Sequence, residues 1–106
     1  MKFKIIDDDS NFSVQLKYDL YVHFKDYVNI EDIEILTNDF YKINLIDTDV
    51  IFIDIDLEKF DGIELSTQIR NIYPAIIIIF ISSHENLVFN TLVVRPFQFI
   101  RKSKYN

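Results

Sequence analysis

Two rhythms of apolar and polar positions alternate along this 106-residue chain. Short apolar runs recur, the first four closed by an acid or a hydroxyl residue and the last by a basic pair, and between them apolar residues fall at helical spacing. Phe3 to Ile6 predicts a short buried strand that ends at Asp7. Beyond it, Phe12, Leu16, Leu20 and Phe24 recur every four positions, which predicts a helix that Asp9 or Ser10 can cap. Ile33 to Leu36 predicts a second strand, and Phe40 to Ile46 a short helix. Val50 to Ile53 predicts a third strand, closed by Asp54. Asp61-Gly62 marks a turn and a helix start, with Asp61 as the cap. Leu65, Ile69 and Ile72 share one face of that helix, and Tyr73-Pro74 ends it. Ile76 to Ile81 is six apolar residues, nearly all β-branched, the mark of a strand buried on both faces. Glu85 to about Val93 predicts a further helix, and Phe97 to Ile100 a fifth strand.

Strands therefore alternate with helices five times, which implies an α/β domain with a parallel sheet and helices on both faces. Sites in such sheets form at the carboxyl ends of the strands. The residues that end the strands are Asp7-Asp8, Asp54, Ser82-Ser83 and Arg101-Lys102. One glycine (Gly62) and two prolines (Pro74 and Pro96) are few breakers, so aspartate and asparagine must supply the turns. No linker, repeat or low-complexity stretch interrupts the pattern, and one domain fits the length.

Composition narrows the function classes. Hydrophobic residues make up 49%, enough for one core. The absence of cysteine excludes disulfides, thiol catalysis and cysteine-based zinc sites. Two histidines, His23 and His84, are too few for a histidine-rich metal site, and both fit surface positions. Seventeen acids against eleven bases give a net charge of −6, which disfavours direct nucleic-acid binding by this segment. All the acids fall within residues 1–86, while Arg95, Arg101, Lys102 and Lys104 follow without any. The longest apolar run, Ala75 to Ile81, has seven residues and cannot span a bilayer. The N-terminus lacks the apolar region of a signal peptide, so a soluble, cytoplasmic protein is expected.

Asp7, Asp8 and Asp54 would converge if the first and third strands are neighbours. Three carboxylates that close repel, and without a cation at least one must hold its proton more tightly. Hard oxygen ligands at this density suit Mg²⁺. Ser82 adds a hydroxyl and Lys102 an ammonium. A carboxylate nucleophile, a divalent metal, a hydroxyl donor and an ammonium together suit phosphoryl transfer.

These motifs, in this order, resemble the receiver domain of a two-component response regulator over essentially the whole chain. The likeness rests on Asp7-Asp8, Asp54, Asp61-Gly62-Ile63-Glu64-Leu65, Ser82 and Lys102. It implies a flavodoxin-like three-layer sandwich with a five-stranded parallel sheet in order 2-1-3-4-5. It implies that Asp54 accepts a phosphoryl group from a sensor histidine kinase. Asp7 and Asp8 would hold Mg²⁺ with Asp54, Asp8 being the stronger candidate for a direct ligand, and Asp56 would add its backbone carbonyl. Ser82 would move toward the phosphate, Lys102 would pair with it, and Phe99 would stand at the aromatic switch position. Homodimerisation and transcriptional control through a separate DNA-binding domain fit the same resemblance. Asp54-Ile55-Asp56-Leu57 and the stretch from Ser82-Ser83-His84 to Lys102 look most like receivers of LytTR-type regulators.

Some positions depart from the family. Arg95-Pro96-Phe97 mimics its usual Lys-Pro-Phe but follows Ser82 by only 13 residues, too few for a helix and a strand. Lys102 follows by 20. Ser103 stands where proline normally follows the lysine, which puts a cis-proline turn in doubt. Glu58 replaces a frequent proline. Only Ser103 to Asn106 follow the lysine, so the usual fifth helix is missing from these residues and an apolar flank of the sheet would be left to associate. Two other readings stay open at this stage. One is an interaction module whose output no longer depends on phosphate. The other is a phosphatase resembling the haloacid dehalogenases, suggested by Asp54-Ile55-Asp56 but opposed by the early acid pair, by Glu58 and by the lack of a cap segment.

Overall fold

The computed structural model describes residues 1–37, 44–57, 61–82 and 98–102, with the backbone alone at 98–101. Five strands are described: β1 (Lys2–Ile6), β2 (Asp32–Leu36), β3 (Val50–Asp54), β4 (Ile77–Ser82) and β5 (Gln98–Arg101). They form one parallel sheet in the order β2-β1-β3-β4-β5. Two helices are described, α1 (Ser10–Phe24) and α2 (Gly62–Ile72).

The sheet is covered on both faces, because the apolar strand residues sort into two buried clusters. On one face Phe3, Ile5, Ile33, Val50, Phe52 and Ile81 pack with Leu16 of α1. On the other, Ile6, Ile51, Ile53, Ile78 and Phe80 pack with Leu65 and Ile69 of α2. All five residues of β3 are buried, as a central parallel strand requires. This is the flavodoxin-like arrangement that the motifs imply. Each predicted strand is found, with ends shifted by one residue at most.

Three expectations need correction. Phe24 does not share the buried face of α1; it is exposed. Residues four apart are 400° apart around a helix with 3.6 residues per turn, so each step drifts about 40°. Three such steps turn Phe24 about 120° away from Phe12. Ile72 is also exposed, and Tyr73 packs against the core in its place, where the chain leaves helical geometry (φ −123°, ψ 77°). The helix predicted over Phe40 to Ile46 does not reach its end: Asn44 to Ile46 lie in a turn whose Leu45 N–H donates to the Tyr73 hydroxyl at 3.4 Å. Its first residues, Phe40 to Ile43, fall outside the described residues, as does the helix predicted from Glu85 to Val93.

Candidate functional site

β1 and β3 are hydrogen-bonded neighbours, with Ile6 opposite Ile53, so Asp7 and Asp54 emerge side by side at the carboxyl edge. Both strand ends turn in the same way. The Asp7 Oδ1 accepts the Asp9 N–H at 2.9 Å, and the Asp54 Oδ1 accepts the Asp56 N–H at 2.8 Å. Each aspartate thus caps the backbone two residues on, which releases the chain from the sheet and fixes the carboxylate. Asp7 is fully buried and Asp54 nearly so, while Asp8 is exposed.

Lys102, directly after β5, reaches across the edge. Its Nζ donates to Asp54 Oδ2 at 3.0 Å and lies 3.1 Å from Asp7 Oδ2 and 3.7 Å from Asp9 Oδ2. Burial acts to lower the ammonium, but Asp54 and then Asp7 outweigh it, and the net shift is upward. Burial pushes the Asp7 carboxyl up to about 7, and the adjacent Asp54 adds to this, while the Asp9 N–H and Lys102 oppose it.

The convergence of Asp7, Asp8 and Asp54 expected from the strand ends is observed. One oxygen from each lies within 4.8 Å of the others, a group that could hold a metal ion. Two Mg–O bonds span about 4.2 Å, so small side-chain movements bring these oxygens to ligand distance. The Asp7 Oδ2 is buried and accepts no aligned hydrogen bond, so the Lys102 ammonium 3.1 Å away meets it as a charge and leaves its lone pairs open to a metal. These residues fit Mg²⁺.

Ser82, the last residue of β4, is buried, and its hydroxyl donates to Asp56 Oδ2 at 3.0 Å. The motifs assigned Asp56 a backbone role; its side chain also holds the serine. Asp9 likewise has two tasks, since it caps α1 through the Phe12 N–H (3.1 Å) and faces Lys102. Neither second role has a sequence signal, because the partners lie 26 and 93 positions away. Ser10 is the first helical residue rather than the cap. Asp61 caps α2 as expected. Phe99 lies in β5 opposite Phe80, but its side chain is outside the described set. Ser83, His84, Glu58, Arg95-Pro96-Phe97 and Ser103 also lie outside it. His23 is exposed at the end of α1.

The model of the response regulator receiver domain family matches residues 3–104. The chain belongs to that family. No curated protein matches it. Among solved structures, it is similar to the signal receiver domain of a DNA-binding response regulator from Colwellia psychrerythraea 34H, with a TM-score of 0.80 and 23% identity over 97% of this chain and 86% of that one. TrrA from Thermotoga maritima, solved with Mg²⁺ and BeF, gives 0.75 and 19% identity over 97% and 87%. The CheX–CheY–BeF3–Mg²⁺ complex from Borrelia burgdorferi gives 0.71 and 26% identity over 96% and 78%. Among the described residues of this receiver, no helix is long and apolar enough to cross a membrane.

Proposed function

We propose that this receiver is a phosphorylation switch in which Asp54 takes a phosphoryl group from a sensor histidine kinase. A carboxylate oxygen of Asp54 forms the new P–O bond as the P–N bond to the kinase histidine breaks, and the imidazole leaves with a proton. Asp7, Asp8, Asp54 and the Asp56 carbonyl would hold Mg²⁺, which would supply charge neutralisation for the phosphoryl oxygens. Lys102 neutralises a further oxygen. Ser82 exchanges its bond to Asp56 for one to the phosphoryl group, and Phe99 follows, changing the surface around β5 that meets a partner or a second copy. The observation that carries this reading is the Asp54 carboxylate, buried at the strand end, held by the Asp56 N–H and paired with Lys102 beside Asp7.

Several finer points belong to the same proposal. The domain occupies residues 1–106, acts in the cytoplasm where kinases work, and regulates transcription through a DNA-binding domain beyond these residues. A LytTR-type output rests on Asp54-Ile55-Asp56-Leu57 and on the segment from Ser82-Ser83-His84 to Lys102. Family membership favours the switch over the phosphatase reading. Incubation with Mg²⁺ and acetyl phosphate, read by intact mass, should give a phosphoryl adduct that Asp54→Ala abolishes. Labelling that survives in Asp54→Ala would sink the assignment. A folded wild-type protein that takes no label would favour a phosphate-independent interaction module.

A further inference from the structure

Lys102 needs more than carboxylates to stay in place. A lysine side chain has a flexible four-carbon stem and a compact ammonium that water competes for. Here the ammonium faces an aromatic ring on the α1 side: the Lys102 Nζ lies 5.0 Å from the centroid of the Phe12 ring. Phe12 is in the first turn of α1, and its place relative to the acids is fixed by the backbone. Its N–H donates to Asp9 Oδ1, while the Asp9 N–H donates to Asp7 Oδ1. The second oxygen of Asp9 lies 3.7 Å from the same ammonium. One cap therefore locks the ring, a flanking carboxylate and the buried Asp7 into one unit.

We propose that Phe12 is a positioning residue for Lys102: its ring face, with the Asp9 carboxylate, seats the ammonium between Asp7 and Asp54 for phosphoryl transfer. An aromatic face attracts a cation through its quadrupole, and the attraction grows as water is excluded. The Lys102 side chain is 18% exposed, so much of that water is already gone. A leucine would fill the volume without attracting the charge. The proposal rests on the reading of Lys102 as the phosphoryl partner.

The test compares wild type, Phe12→Leu and Phe12→Tyr. In proton NMR of the wild type, the Lys102 ε-methylene signals should lie upfield of the other lysines through the ring current. Phe12→Tyr should keep that shift, and Phe12→Leu should lose it. With Mg²⁺ and acetyl phosphate, Phe12→Leu should label about three- to tenfold more slowly, while Phe12→Tyr stays within about twofold of wild type. An unshifted Lys102 in the wild type overturns the seat. So does a Phe12→Leu protein that is folded by circular dichroism and labels at the wild-type rate. If Phe12→Leu fails to fold, the wild-type and Phe12→Tyr shifts still decide. A wild type that takes no label but shows the shifted Lys102 would overturn the phosphoacceptor reading and leave the seat standing.

Discussion

Asp7 is fully enclosed, and this makes its charge conditional. Burial first, and then Asp54, raise its carboxyl from 3.8 to about 7. A folded-state value above the unfolded one means that the folded state binds the proton more tightly. The stability contributed by protonated Asp7 is full below about pH 4 and is lost as pH rises through about 7. Metal-free protein should therefore lose stability across that window, read by thermal melts in chelator. Asp7→Asn should flatten this part of the profile. Mg²⁺ should raise the melting temperature more at pH 8 than at pH 5, because a ligand carboxylate must give up its proton. An equal metal effect at both values would contradict the Asp7 assignment. At this same scale, the candidate acids, the serine and the lysine were legible in the sequence because each ends a strand. Phe12, the Asp9 carboxylate on Lys102 and the Asp56 carboxylate on Ser82 were not, since each looks locally like a core or turn residue.

The start of α2 comes very close to the end of β3. Gly62 follows its cap Asp61, and a Cβ there would lie 2.3 Å from the Asp54 carbonyl oxygen and 2.6 Å from the Ile55 Cα. Those are backbone atoms, so nothing flexible can yield. The chain's one glycine thus lets the helix start press against the backbone of the candidate phosphoacceptor. Gly62→Ala should destabilise by roughly 1–3 kcal/mol or more by denaturant titration, with slower labelling as the Asp54 strand end shifts. An alanine variant as stable as wild type would show that the close approach is relieved at no cost. The sequence marked Gly62 as a turn signal, but not what it touches. The starts of both described helices and the end of α2 were legible from the Asp9, Asp61 and Tyr73-Pro74 signals. The orientation of Phe24 was not, since spacing by fours follows a face for only two or three steps before it drifts off.

Across the whole molecule, stability lies in the paired central strands. β3 and β4 register residue for residue from Val50 opposite Ile77 to Asp54 opposite Ile81, and both insert apolar residues into the cores on either face. Phe80 is completely buried in this arrangement. Phe80→Ala should cost roughly 3–5 kcal/mol, a large share of the about 5–15 kcal/mol that holds a domain together. Chemical denaturation measures it, and a loss below about 1 kcal/mol would place Phe80 outside the core. The sequence by itself determined the order of strands and helices, because burial on two faces demands apolar runs and burial on one demands helical spacing. It also determined which residues close the strands. Only the tertiary structure decided which strand ends become neighbours, how Lys102 divides its charge among Asp7, Asp9 and Asp54, and which ring it rests on. Those outcomes depend on distances between residues up to 95 positions apart, which no local pattern encodes.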